Sequence, residues 1–308
     1  MSVRAVVFAY HDVGVRCLKA LLRKSIDVQL VVTHADDPQE TRWFASVAAT
    51  AADHGIECIA PAAPNDAAIE ARLAALRPDF IFSFYYRQLL APRLSRYARH
   101  GAFNMHGSLL PRYRGRAPVN WAILRGETET GVTLHDMVER ADAGDIIDQM
   151  TVPILIEDDA REVYAKITVA AEMVLERSLP FLIAGTAPRR PQDLAAGHYV
   201  GRRRPEDGRI DWHKSARDIH NLVRAIAPPF PGAFAAVNGV RWWIHRTRLV
   251  GGADDRAPHL QLYSADGRCL ARCGDGKVLQ LLAGATNDGP LVLAELAARL
   301  TDCPIVLS

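Results

Sequence analysis

Residues 3–33 read VRAVVFAYHDVGVRCLKALLRKSIDVQLVVT. Val3–Tyr10 is apolar and β-prone. Over Val13–Arg23 a helix puts Val15, Leu18, Leu21 and Leu22 on one face, and Val28–Thr33 returns to a strand pattern. Strand, helix and strand at this spacing form a crossover unit, and crossovers join parallel strands. The alternation continues downstream. Glu40–His54 has a helical pattern with Gly55 as its stop, Glu57–Ala60 is a short strand, and Ala67–Leu76 is a helix ended by Arg77-Pro78. Phe80–Phe84 and Gly101–Met105 add a fourth and a fifth strand. Thr130–Val138 and Ile146–Ile154 are strands around a polar turn, and Ala160–Ile183 is a long helix. The pattern predicts an α/β fold built on a mainly parallel, Rossmann-like sheet covered on both faces.

The texture changes after Ala184–Val200, a Gly-, Pro- and charge-rich stretch that reads as a linker. Ser215–Ala227 is one helix. Ala233–Val237, Arg241–Leu249, His259–Ser264, Arg268–Cys273 and Lys277–Leu282 are short strands, with Trp242 and Trp243 alternating across theirs. Asn238-Gly239 and Asp266-Gly267 tolerate the positive φ of tight hairpins. Closely spaced strands joined this way predict a small antiparallel, OB-like barrel. The expected organisation is a catalytic domain over 1–189, a linker over 190–203 and a barrel over 204–308.

Composition narrows the partners. Of 308 residues, 49% are hydrophobic, and Lys+Arg 37 against Asp+Glu 35 leaves a net charge of +2. Such a balance excludes a polyanion-coating protein and weighs against nucleic acid. No apolar run reaches the roughly 20 residues of a membrane helix, and the N-terminus lacks a signal-peptide pattern, so a cytoplasmic protein is expected. Cys17, Cys58, Cys269, Cys273 and Cys303 are scattered and odd in number, and the C-x3-C pair has no nearby His pair. A reduced chain without a structural metal is expected.

The loop after the first strand, Ala9-Tyr10-His11-Asp12-Val13-Gly14, has one glycine. It is neither the G-x-G-x-x-G of a dinucleotide site nor a Walker loop. Ligand is still expected beyond the carboxyl ends of the strands, so Tyr10, His11 and Asp12 face a candidate crevice. At the end of the fifth strand, Asn104 and His106 are two residues apart and share a face. Asp142 follows in a loop. An amide N–H suits a developing oxyanion, an imidazole exchanges protons near neutral pH, and a carboxylate orients the imidazole and favours its protonated form. These are the parts needed for acyl transfer to an amine, with the amine itself as nucleophile.

The stretches FNMHGSLLPRYRGRAPVNWAI, GETETGVTLHDMVERADAGDII and IDWHKSARDIHNLVRAIAPPFPGA resemble the folate-dependent formyltransferases. That family includes methionyl-tRNA, glycinamide ribonucleotide and sugar N-formyltransferases. FAYHD, THADDP, FSFYYRQLL and GRRRPEDGRIDWHK are most similar to the branch that formylates UDP-4-amino-4-deoxy-L-arabinose in lipid A modification and polymyxin resistance. The likeness spans essentially the whole chain. It implies Asn104 as oxyanion stabiliser, His106 as general acid/base and Asp142 as the acid that supports the histidine. It also implies 10-formyltetrahydrofolate as co-substrate, held at Gln88-Leu89-Leu90, at Arg116 and along Val138, Glu139, Arg140, Ala141 and Asp142. Gln88 departs from the His of the closest relatives, so a side-chain role there is in doubt while a backbone contact survives the change.

Arg202 and Arg203 suit a diphosphate, since planar guanidinium donors match phosphate oxygens; the other reading is a solvated linker cluster. Tyr10 and His11 are the candidates for sugar-nucleotide contact. Tyr85, Tyr86 and Arg87 follow the fourth strand and border the expected folate site, or else pack. Trp212, His213, Asn221 and Arg224 read as structural, and His135 and His245 as satisfied or exposed histidines. Methionyl-tRNA formyl transfer is the alternative within the family, and a non-catalytic folate- or nucleotide-sugar-binding module the alternative outside it. At 308 residues the chain is expected to be the formyltransferase half alone, without the decarboxylase half of the fused relatives.

Overall fold

The computed structural model describes residues 2–38, 42–251 and 260–307. The first crossover unit is β1 (Arg4–Ala9), α1 (His11–Arg23) and β2 (Asp27–Val32). After it come α2 (Val47–Asp53), β3 (Cys58–Ile59), α3 (Ala67–Leu76), β4 (Phe80–Phe84), β5 (Gly101–His106), β6 (Arg114–Gly115), α4 (Pro118–Leu124), β7 (Glu129–Asp136), β8 (Ile146–Pro153), α5 (Ala160–Ala184) and β9 (Tyr199–Val200). Seven strands form one sheet in the order β3-β2-β1-β4-β5-β7-β8. Pairing is parallel from β3 to β5 and antiparallel through β7 and β8.

Burial explains the central strands. Every residue of β4 is buried, and so is all of β1 after Arg4, as expected for strands covered on both faces. Phe80, Phe82, Phe84 and Phe103 are essentially inaccessible, and each contributes about 1.5–3 kcal/mol by leaving water. The chain order reverses at β1, which pairs with β2 on one side and β4 on the other. That reversal opens a crevice at the carboxyl ends of β1 and β4. Tyr10 stands at its edge, its N–H bonded to the Phe84 carbonyl at 3.1 Å.

One expectation is corrected here. The helix expected over Glu40–His54 is confined to Val47–Asp53; residues 39–41 lie outside the described residues. Ser46 starts it by accepting the Ala49 N–H on its hydroxyl at 3.2 Å, and Asp12 accepts the Ala45 N–H at 2.9 Å just before. Side-chain acceptors thus stop the helix from extending backward. Within the stretch expected to be a linker, Tyr199–Val200 pairs in parallel with Arg114–Gly115, and Arg190 bridges Ile146.

The remaining elements are α6 (Ala216–Ala225), β10 (Ala233–Val237), β11 (Val240–Val250), β12 (Gln261–Ala265), β13 (Arg268–Arg272), β14 (Val278–Thr286), β15 (Gly289–Pro290), α7 (Leu293–Asp302) and β16 (Ile305–Val306). Their sheet is antiparallel throughout, in the order β10-β11-β14-β13-β12-β16 with β15 on β14, and forms a half-barrel. Register shifts at Ile244–Thr247 bend the long β11. Asn238-Gly239 has φ of 49° and 78°, and Asp266-Gly267 has 49° and 69°, as two-residue hairpin turns require. The strand expected to begin at His259 begins at Gln261, and His259 lies outside the described residues. Leu293–Asp302 is a helix with Leu296, Ala297 and Leu300 buried.

The chain packs as two compact units. One comprises 1–118, 129–153 and 164–201, and the other 119–128, 154–163 and 202–308. Within the second, His220 bonds Thr247 and the Ile156 carbonyl, and Arg224 bonds Asn221 and the carbonyls of Leu155 and Asp158. Trp212 is buried there as well. All five cysteines are free, and Cys17, Cys269 and Cys273 are buried. Among the described residues, no group of three His, Cys, Asp or Glu side chains has metal-holding geometry, and no helix is long and apolar enough to cross a membrane.

Candidate active site

Asn104 and His106 leave the same face of β5 near its carboxyl end, and β7 runs antiparallel beside them with His135 opposite Asn104. The hydrogen bonds assign the tautomers. His135 Nδ1 lies 2.9 Å from the Asp136 carbonyl, which only accepts, so that nitrogen carries the proton. In the neutral ring, Nε2 is then an acceptor, and its partner at 3.1 Å is the Asn104 side-chain nitrogen, which donates. This chain fixes which end of the Asn104 amide is NH2 and leaves its second N–H for another acceptor. His106 Nε2 lies 2.9 Å from the Tyr113 carbonyl and donates to it. Its Nδ1 faces Asp142 Oδ1 at 3.5 Å.

Asp142 sits in the turn between β7 and β8 with φ of 55°. One carboxylate oxygen accepts the Gly115 N–H at 2.9 Å; the other lies 3.5 Å from His106 and 3.6 Å from His135. Burial alone raises a carboxyl pKa, but attraction to the protonated His106 ring and the Gly115 hydrogen bond outweigh it and hold Asp142 well below the usual carboxylate range. The site therefore keeps a fixed negative charge against the His106 ring. Gly115 has φ of 103°, and a Cβ there would collide with the Val200 carbonyl.

His135, expected to be a satisfied or exposed histidine, lies against both Asn104 and Asp142. Its two-residue spacing from Thr133 marked a strand face, but only the β5–β7 register puts it across from Asn104.

The other candidates divide. Gln88 and Leu89 are exposed, Leu89 at 69%, while Leu90 packs on the cluster formed by Val6, Phe8, Ile81 and Ala102. Met137, just before Val138–Asp142, packs on the same cluster, so both expected folate segments leave one core. Val138, Glu139 and Arg140 are exposed, and the Ala141 carbonyl accepts from the Tyr199 hydroxyl at 2.6 Å. Arg116 is exposed, and its backbone N–H bonds the Val200 carbonyl.

Tyr10 donates to Asp36 at 3.0 Å, and Arg87 lies over its ring at 4.6 Å. His11 is buried with φ of 67° in an aromatic cluster with Trp43, Phe44, Tyr85 and Tyr164. A cavity of about 390 Å³ opens at the ends of β1, β2 and β3, bordered by Tyr10, Thr33, His34, Asp36, Ser46 and Cys58. His34 stacks on Tyr86 at 4.0 Å and accepts the Arg87 N–H on Nε2. Burial, reinforced by the Arg87 charge, pulls its pKa down to about 4. Arg202 and Arg203 belong to the other unit, where Arg203 lies 5.2 Å over the Trp121 ring and bonds the Asp207 carbonyl.

A formyl transferase family model matches residues 3–179, and one for the formyl transferase C-terminal domain matches residues 203–297. Among solved structures, the chain is similar to the N-formyltransferase from Helicobacter canadensis in complex with folinic acid and dTDP-3-aminofucose. Identity is 22% over 91% of this chain and 99% of that one, with a TM-score of 0.72. It is also similar to WlaRD, a sugar 3N-formyl transferase solved in the presence of dTDP and 5-N-formyl-THF, with 20% identity over 95% and 99% and a TM-score of 0.71. HypX from Aquifex aeolicus in complex with tetrahydrofolic acid has 17% identity over 97% of this chain and 48% of that one, with a TM-score of 0.64. At these identities the likeness is one of fold.

Proposed function

Because the chain belongs to the formyl transferase family, we propose that it transfers a formyl group from 10-formyltetrahydrofolate to the 4-amine of UDP-4-amino-4-deoxy-L-arabinose. The observation that carries the transfer chemistry is the convergence of His106 and His135 on the Asp142 carboxylate, with Asn104 oriented by His135. The choice of acceptor rests on the FAYHD and THADDP stretches, whose Tyr10, His34 and Asp36 border the 390 Å³ cavity at the strand ends. A cavity of this size, with a few polar groups among apolar ones, suits part of a nucleotide sugar. The pathway would be lipid A modification, and the enzyme would work in the cytoplasm, where both substrates are small and soluble.

In this reading the neutral amine attacks the formyl carbon and a C–N bond forms. Charge grows on the formyl oxygen, where the second Asn104 N–H donates. The amine proton leaves and the folate nitrogen gains one as the old C–N bond breaks. His106 carries that proton on Nδ1, the nitrogen its bond to Tyr113 leaves available, with Asp142 stabilising the charged ring. The exposed Leu89 and Val138 offer apolar surface to the flat pterin, and the backbone of Gln88 serves in place of its side chain. No metal enters the scheme.

The test is direct. Purified protein with 10-formyltetrahydrofolate is offered the UDP-sugar, a dTDP-linked amino sugar and methionyl-tRNA. The UDP-sugar should be formylated with the highest kcat/KM. A preference for a dTDP-linked sugar, the kind of ligand printed for the Helicobacter relative, would move the acceptor but keep the chemistry. Formylation of tRNA alone would overturn the sugar reading.

A further inference from the structure

The turn that carries Asp142 is gripped by side chains remote in sequence. Tyr199 donates its hydroxyl to the Ala141 carbonyl at 2.6 Å. Gln192 donates its amide N–H groups to the Asp142 carbonyl at 3.1 Å and to the Gly144 carbonyl at 2.6 Å. The Ala141 carbonyl lies in the peptide plane before the Asp142 Cα, and the Asp142 carbonyl in the plane after it. Fixing both planes fixes φ and ψ of Asp142, and so the direction of its Cα–Cβ bond. That conformation needs holding, because φ of 55° is uncommon for a residue with a side chain.

Tyr199 is itself anchored. Tyr199 lies in β9, where Arg114 and Arg116 donate their backbone N–H groups to the His198 and Val200 carbonyls, both at 3.0 Å. The Arg114 guanidinium sits 4.5 Å over the Tyr199 ring and donates to the Leu194 carbonyl. Arg140 reaches the Tyr199 hydroxyl at 3.2 Å from the turn itself. Between Arg114 and Arg116, the Gly115 N–H meets the Asp142 carboxylate. One short ladder therefore supplies both the donor to the carboxylate and the clamp on its backbone.

We propose that Gln192 and Tyr199 are positioning residues for the reaction: they hold the Ala141–Gly144 turn so that the Asp142 carboxylate meets Gly115 and His106 together. Neither touches the reacting atoms in this scheme. The inference rests on the reading of Asp142 as the working carboxylate.

Tyr199→Phe keeps the ring under Arg114 and removes the hydroxyl, which donates to Ala141 and accepts from Arg140. Gln192→Met keeps the length and removes both donors. Each variant is assayed for kcat, for KM of both substrates and for its unfolding midpoint, alone and combined with Asp142→Asn. Each single variant should lose about ten-fold in kcat, with KM within about two-fold and the unfolding midpoint close to the parent. In the Asp142→Asn background, neither should cause a further loss, since there is no carboxylate left to aim. Unchanged kcat in both single variants, or the same loss with and without Asp142→Asn, overturns the proposal. Parent-like turnover in Asp142→Asn itself instead overturns the role of Asp142, so the two failures are told apart.

Discussion

The Asn104 side-chain amide donates to His135 Nε2 at 3.1 Å across the β5–β7 ladder. A cross-strand neighbour thereby decides which way the Asn104 amide faces. His135→Phe fills the same space and cannot accept, so Asn104 loses its orienting bond while the strand stays packed. The expected outcome is a loss of about ten-fold or more in kcat with little change in KM, read from steady-state kinetics. A parent-like kcat would remove His135 from the working site.

Asn104→Ala and His106→Ala remove the proposed oxyanion donor and the proposed proton carrier. Each should cost about 10²–10⁴-fold in kcat, the usual range for such groups. Near-full turnover by either variant would end the present assignment.

Asp142 gives a pH signature. Its folded carboxyl sits below the ordinary value of 3.8, so the folded state binds this proton less readily than the unfolded chain. The stability it contributes is fully present above about pH 4 and is lost as pH falls from there towards the depressed folded value. Urea unfolding of the parent and of Asp142→Asn, compared across that acid window, should show the stability gap closing as pH falls. A gap independent of pH would contradict the ion-pair account.

His34 acts in a higher window. The fold holds it neutral down to about pH 4, against 6.5 in the open chain. Between those values the unfolded chain binds the extra proton, so stability falls as pH drops from about 6.5 towards 4. His34→Asn should flatten the stability profile over that range, measured by denaturant midpoints at constant ionic strength.

Gly115→Ala tests the ladder that serves Asp142. A side chain at φ of 103° is strained and meets the Val200 carbonyl. A loss of about 1–3 kcal/mol in unfolding free energy is expected, with reduced activity beyond what the stability loss explains. A variant as stable and as active as the parent would mean that the backbone adjusts there freely.

Local chemistry made much of this protein legible in its residues. Continuous apolar runs such as Phe80–Phe84 announced strands buried on both faces, and Ala67–Leu76 began and ended as its pattern predicted. Asn-Gly and Asp-Gly marked both hairpins, because the required φ is a property of those residues. Asn104-x-His106 shared a face because strands have period two. By contrast, nothing near His135 indicated its partner: cross-strand register is a long-range choice, made by packing along the whole of β5 and β7. Ser46 and Asp12 shortened a helix whose apolar pattern ran further back, through bonds to acceptors one of which lies 33 residues away. The Gly- and Pro-rich stretch before residue 201 had no periodicity to read, yet its Gln192 and Tyr199 bind the turn of Asp142. Residue type and short-range spacing determined the elements and the candidate reacting groups. Tertiary structure alone decided which atoms face each other, because a hydrogen bond depends on ångström-scale placement that distant segments impose.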